Sequence, residues 1–257
     1  MLKEINILRQ HGKQFVPDLR VAALPGIFRG RPVITDSITT QEAKMAAQLC
    51  PVGAIGANPC TIDLGKCVFC RECELALPGK IKFTNDHKIA ANRREDLIIR
   101  QGSNQPVKVR EEIIRPELRK LFRHALKLRQ VSAAGDNSAE MELNAAGNVN
   151  FDMGRFGIEF VASPRHADGV VITGPISKNM AEALQICYDA IPAPKLVILV
   201  GSDAISGGLF SDSPAIERDF LARYPVDLFI PGNPPHPLTF INGVLDLLGI
   251  SSQEPRG

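Results

Sequence analysis

IEFVASPRHADGVVITG, residues 158 to 174, contains two apolar runs, IEFVAS (158 to 163) and GVVITG (169 to 174), that read as strands. Neither alternates polar with apolar residues, as a strand with one wet face would. Near-continuous apolar strands belong to a sheet covered on both faces. Working outward, KLVILVG (195 to 201) and VDLFIPG (226 to 232) repeat the pattern. Ser177 to Ala190 and Ser213 to Arg223 have helical periodicity, and Leu238 to Leu248 follows the last strand. Strands alternating with helices predict a three-layer α/β domain with a mostly parallel sheet. Ligands in such sheets sit at the carboxyl ends of the strands, which singles out the loops after 174, 201 and 232. Gly174 with Pro175, and Gly207 with Gly208, mark tight turns in those loops.

Upstream, Ser132 to Asn150 is rich in Ala, Gly, Asn and Ser and reads as a loop with a short helix inside it. VKVREEIIRPELRKLFRHALKLRQ, about 106 to 130, is strongly basic and places Leu118, Leu121, Phe122, Ala125 and Leu128 at helical spacing. It predicts an amphipathic connecting helix entered at Pro116. Its charged face is either simply solvated or docks on an acidic partner. Residues 1 to about 100 hold most of the cysteines and only short apolar runs, such as Val52 to Ile55 and Ile81 to Phe83. That describes a small, loop-rich module held by something other than a large core. The expected division is 1 to 105, a connecting helix and linker over 106 to 135, and an α/β domain over 136 to 257.

The whole chain of 257 residues is 44% apolar and 23% charged, as in globular proteins. A net charge of +2 is too small to point to nucleic acid. No stretch approaches the roughly 18 apolar residues a membrane span needs, and the start MLKEINILRQHGK lacks the apolar centre of a signal peptide. An intracellular location is expected. In a reducing compartment cysteines serve as metal ligands or buried thiols, and five of the six fall between positions 50 and 73.

GKCVFCREC spaces Cys67, Cys70 and Cys73 two residues apart, so one loop can wrap three thiolates around a cubane cluster. A bacterial ferredoxin run is Cys-x2-Cys-x2-Cys-x3-Cys-Pro, and in two-cluster ferredoxins the fourth cysteine ligates the other cluster. Here the run ends at Leu77 and Pro78, without its own fourth cysteine. An earlier Cys-Pro survives as Cys50 and Pro51, but its three preceding positions are Thr40, Ala43 and Ala46. One crossed site, Cys50, Cys67, Cys70 and Cys73, is complete, and the other is erased as a unit. This predicts a ferredoxin-like α+β module with one 4Fe-4S cluster. A closed zinc site is the alternative that four cysteines leave open. Cys60 is expected to be a buried thiol, and Cys187 to lie on the apolar face of a helix.

The first hundred residues, with FRGRPV, CPVGAI and IDLGKCVFCREC, resemble the two-cluster ferredoxin subunits of membrane-bound hydrogenase complexes. RFGIEFVASPRHADGVVITGPIS (155 to 177), PKLVILVGSDAISGG (194 to 208) and VDLFIPGNPPHP (226 to 237) resemble the small, proximal-cluster subunit of group 4 nickel-iron hydrogenases and complex I, which implies a flavodoxin-like domain. That family would place four cysteines of a proximal cluster at positions occupied here by Asp136, Ala139, Asp203 and Asn233. Carboxylates, an amide and a methyl group cannot replace four thiolates, so the proximal cluster is expected to be absent. Asp136, Asp203 and Asn233, with His236 nearby, could gather a hard cation such as Mg2+, or could be polar replacements filling a vacated pocket. The resemblance would place Arg165 and His166 near the partner interface or that pocket.

The resemblance therefore implies a subunit peripheral on the cytoplasmic face of a membrane. It would dock a hydrogenase-like or complex I-like large subunit and, through it, membrane subunits, as a structural part with an interrupted electron chain. One alternative is an electron-transfer subunit using its single cluster by another route. Another is a free-standing enzyme built on Asp136, Asp203 and His236, against which stands the lack of a nucleophile-and-base pair or phosphate-binding glycine loop.

Overall fold

The computed structural model describes residues 2 to 11 and 15 to 250. In the N-terminal part, α1 (Leu2–His11), β1 (Pro32–Ile34), α2 (Thr40–Leu49), β2 (Ile55–Ala57), β3 (Cys60–Asp63), α3 (Glu72–Ala76), β4 (Ile81–Phe83) and β5 (Ile98–Arg100) follow in order. β1 pairs antiparallel with β4, while β2, β3 and β5 form a second antiparallel sheet. The strands are three or four residues long, in keeping with a module that has few apolar residues to bury.

The second part comprises α4 (Pro116–Phe122), β6 (Leu126–Ser132), α5 (Ser138–Ala146), β7 (Ile158–Phe160), β8 (Gly169–Thr173), α6 (Lys178–Ala190), β9 (Leu196–Val200), α7 (Ser202–Ser206), α8 (Asp219–Arg223), β10 (Leu228–Ile230) and α9 (Pro237–Leu248). Its five strands are parallel in the order β10-β9-β8-β6-β7. Numbered within this sheet that order is 5-4-3-1-2, the flavodoxin-like arrangement, whose switch point lies between its first and third strands, β6 and β8.

Alternation along the strands explains their continuous apolarity. Val170, Ile172, Val197 and Leu199 share a core with Leu184 and Tyr188 of α6, whereas Val171, Ile198 and Val200 share one with Leu143 of α5 and Phe240, Ile241 and Val244 of α9. Every position on β8 and β9 is buried. Each fully buried side chain of this kind is worth roughly 1.5–3 kcal/mol.

The expected connecting helix is corrected by this sheet. Only Pro116 to Phe122 is helical, with the proline in the first turn as expected, and Leu126 to Ser132 is a strand flanked on both sides by others. Residues 106 to 135 are thus not a helix and linker between domains. Leu126 and Leu128 are fully buried while Lys127 is exposed, because the strand alternates at period two. Three other expected elements are markedly shorter than read: the helix of 213 to 223 covers Asp219–Arg223, the strand of 158 to 163 covers Ile158–Phe160, and the strand of 226 to 232 covers Leu228–Ile230.

The two parts share one core. The residues on the α6 side of the sheet belong to the same cluster as Ile34, Ile62, Leu64, Ile81 and Leu97 of the N-terminal part. Ala91 bridges to Phe229 on the outermost strand, β10, with Ala91 N donating to Phe229 O at 3.1 Å and Phe229 N to Ala91 O at 2.8 Å. The exposed edge of the parallel sheet is therefore covered by the same chain.

Candidate functional site

The thiol site begins with a capped helix. Thr39 Oγ1 accepts from Glu42 N at 3.3 Å while Glu42 Oε2 accepts from Thr39 N at 2.8 Å, which fixes the start of α2. The helix ends at Cys50, whose N–H donates to Ala47 O. Cys67 and Cys70 lie on the loop after β3, and Cys73 lies in α3. Within that loop Phe69 and Arg71 have φ of 53° and 70°, a region that L residues enter seldom. The loop is tightly curled as a result, and Cys50, Cys67, Cys70 and Cys73 line one cavity with Val52, Ala54, Ile55, Ile62 and Phe83 among its walls.

Backbone amides are aimed at the sulfurs. Ala54 N donates to Cys50 Sγ at 3.2 Å and Phe69 N to Cys67 Sγ at 3.3 Å, and the backbone of Glu74 and Cys73 reaches the Cys73 sulfur. Burial, and then the neighbouring thiols, push Cys67 up to about 12 and Cys73 up to about 11. Four thiolates in such a place need metal charge among them, and N–H donors to sulfur are the outer contacts a metal-thiolate cluster uses. The donor set fits a 4Fe-4S cluster. Among the described residues no three His, Cys, Asp or Glu side chains close on a single ion position.

Three of the four positions read as those of a lost second site are hydrocarbon in the core. Ala43, Ala46 and Leu77 are buried at 1%, 0% and 6% exposure and belong to the core, while Thr40 is the first residue of α2. Cys60 lies in β3 at 1% exposure, apart from the walls of the thiol cavity. Cys187 on α6 is half-buried against the core and interacts with Arg129.

The second place is the carboxyl edge of the parallel sheet. Asp136, Ala139, Asp203 and Asn233, drawn from the loops after β6, β9 and β10, line one crevice together. Its free volume is only about 10 Å3, near the least that holds one water. The close approach of the loops requires glycine: at Gly174, φ +77°, a Cβ would overlap the backbone of Gly135. Asp136 Oδ1 accepts from Ser138 N at 2.9 Å and Oγ at 2.6 Å, which holds its carboxyl below the usual range. Burial, and then the charge of Asp136, push Asp203 up. Glu140, also lining the crevice, is 5% exposed and accepts from Thr173 Oγ1 at 2.6 Å.

Three further residues named from the sequence lie outside the crevice lining. His236 does not line the crevice: it caps α9, its Nδ1 accepting from Leu238 N at 3.1 Å, and its ring meets Phe28 and Phe151 edge-on. Burial, and then His87, push it down to about 4. The trio of Asp136, Asp203 and His236 is thus not assembled. Arg165 and His166 do not line the crevice either. They are exposed on a 3-10 turn between β7 and β8 whose flanks bond near the start of β6, Val161 N to Leu128 O at 2.9 Å and Asp168 N to Lys127 O at 2.7 Å. Ser202, which sequence reasoning missed, lines the crevice at 1% exposure, and its Oγ has no hydrogen-bond partner among the described residues. Its one signal is its place between Gly201 and Asp203 at the end of a strand.

The family model described as NADH ubiquinone oxidoreductase, 20 Kd subunit, matches residues 137 to 247. The thiol site lies outside that match. The chain is similar to "Probable membrane-bound hydrogenase subunit mbhJ" of Pyrococcus furiosus, 36% identical over 115 residues, which are 45% of this chain and 69% of that protein. It is 45% identical over 108 residues to an NADH-quinone oxidoreductase subunit of Clostridium beijerinckii, covering 42% of this chain and 64% of that one. It is 41% identical over 118 residues to an F(420)H(2) dehydrogenase subunit of Methanosarcina mazei, covering 46% and 64%. The chain thus spans about two thirds of the length of these relatives. Among solved structures, a chain of the membrane-bound sulfane sulfur reductase, an archaeal respiratory membrane complex, is 27% identical with a TM-score of 0.46, covering 52% of this chain and 75% of that one.

Proposed function

This chain belongs to the family of the 20 kDa subunit of NADH ubiquinone oxidoreductase, and from that membership we propose that it is an iron-sulfur subunit of a membrane-associated, hydrogenase-related or complex I-like assembly. It docks a large subunit and holds one 4Fe-4S cluster through Cys50, Cys67, Cys70 and Cys73, with none at the carboxyl edge of its α/β sheet. A 4Fe-4S cluster supplies single-electron exchange where it is bound.

One observation carries the reading. The four positions at which the resemblance expects a proximal cluster come together as Asp136, Ala139, Asp203 and Asn233, around a space of about 10 Å3. Four side chains without a thiol, gathered where the resemblance expects a cluster, support an electron path interrupted there with a docking role that remains. Met141, Leu209 and Phe210 are 65%, 64% and 51% exposed on the segments that carry the crevice, as apolar groups awaiting a partner would be. No described helix is long and apolar enough to cross a membrane, and the proposed attachment is through partner subunits. We assign it to the cytoplasmic face, where its thiols stay reduced.

Iron and sulfide analysis with EPR on the anaerobically purified full chain tests this. About four irons per chain are expected, lost in Cys50→Ser, and about eight would overturn the single-cluster reading. A second reading has its own observation: Cys70 is exposed, so the thiol site reaches the surface. Through it the cluster would exchange electrons with a partner directly. Rapid substrate-driven reoxidation of the reduced cluster in the assembled complex would favour this reading over the interrupted one.

A further inference from the structure

We propose that the carboxyl-edge crevice binds one hard divalent cation of the Mg2+ class, held by the side-chain oxygens of Asp136, Asp203, Asn233 and Ser202. The inference rests on the reading that no iron-sulfur cluster occupies this crevice.

The loops after β6, β9 and β10 bring the carboxylates of Asp136 and Asp203, a carboxamide and a hydroxyl to one small space, which the Glu140 carboxylate, engaged by Thr173, also lines. No Lys or Arg lines it. Arg218, whose guanidinium reaches the Asp203 backbone, spends its donors on backbone carbonyls of Pro175, Asp203, Ala204 and Ile205. The carboxylates of Asp136 and Asp203 therefore share this space, and repel each other, without a cation from the protein. The Asp203 carboxylate accepts no hydrogen bond among those of the described residues, and Asp136 commits one oxygen to Ser138 and leaves the other.

Ser202 supplies independent support. A hydroxyl buried to 1% exposure with no partner costs about 1–3 kcal/mol, and here it lines the same space as the carboxylates. An ion resolves the repulsion and the orphaned hydroxyl together. The donors are all oxygen, which selects Mg2+, Mn2+ or Ca2+ over the zinc and iron that thiolates would draw. The small volume favours the smaller ions, with the exposed side of Asp136 leaving room for retained waters. The cation ties together the three loops that frame the exposed Met141, Leu209 and Phe210.

The test uses the full chain, stripped with chelator and titrated with Mn2+ while free Mn2+ is followed by EPR. One saturable Mn2+ per chain is expected, displaced by Mg2+ and weakened on the order of tenfold or more in Asp203→Asn. No saturable binding, or binding unchanged in Asp203→Asn, overturns the proposal. Should that variant not fold, Ser202→Ala decides by sign: it should lower the melting temperature with Mg2+ present and raise or preserve it in chelator. A Ser202→Ala effect of the same sign in both conditions is a failure of the proposal. Iron content separates the two claims, since about four irons without Mn2+ binding overturns only the cation, whereas about eight overturns the reading beneath it.

Discussion

Thr173 shows how a single side chain can support the crevice from below. Its Oγ1 donates to Glu140 Oε1 at 2.6 Å, and Thr173 is 0% and Glu140 5% exposed. Thr173→Val keeps the shape of the strand and removes the donor, leaving a buried carboxyl without it. The expected loss is about 1–3 kcal/mol, read as a melting temperature lower by roughly 2–4 °C per kcal/mol. Val at a solvent-exposed position would do little, so a wild-type melting curve would mean that Glu140 finds another donor. At the same scale the gathering of Cys50, Cys67, Cys70 and Cys73 around one cavity is legible in the sequence, because the spacing of Cys67, Cys70 and Cys73 already puts three thiols on one loop. Ser202 is not, since only the fold decides whether a serine at a strand end meets water or two carboxylates.

The element that sets Cys50 in place is α2. Thr39→Ala removes one half of its capping box and should cost about 1 kcal/mol, with earlier loss of the cluster absorbance on heating. Acid probes the other half. Hydrogen bonds and charge from Lys80, with help from Thr39, lower Glu42 from 4.5 to about 2. A carboxyl lowered on folding adds stability that is fully present above its unfolded value and is lost as pH falls through its folded one. The stability difference between the protein and its Glu42→Gln variant, from urea titrations, should therefore be largest above pH 4.5 and shrink toward pH 2. A difference that stays constant over that window would mean the carboxylate does not cap the helix. Elements also mark the limit of sequence reading. β8 and β9 declare themselves through unbroken apolarity, whereas β6, between two other strands, carries Lys127, Arg129 and Gln130 and reads as helix. Leu126 and Leu128 alternate with polar residues on one face and Val131 packs on the other, but Leu121, Phe122, Ala125 and Leu128 also suit one face of a helix. Pairing decides between them: Lys127 answers Glu159 at 3.4 Å across the neighbouring strand, a partner no local window contains.

For the whole molecule, the question is whether the thiol module and the α/β sheet stand or fall together. One core cluster runs from Ile62 and Leu64, beside the thiol loop, to Val170 and Leu199 of the parallel sheet. Ala91 closes the sheet's outer edge through its two bonds with Phe229, and Ala90 packs so near α9 that a Cβ at Gly243 would crowd it. Chains with a shared core unfold as a unit, so cluster absorbance and far-ultraviolet circular dichroism should be lost at the same denaturant concentration. Ala91→Pro removes the N–H that donates to Phe229. It uncovers the β10 edge and should separate the two transitions, the sheet signal moving to lower denaturant while the cluster signal moves less. Two transitions already separate in the wild type would mean that the shared core does not couple the parts. Coincident transitions, moved apart by one proline, would mean that the thiol module acts as the missing edge of the sheet, and that a protein with this architecture keeps its docking surface only while its cluster domain is folded.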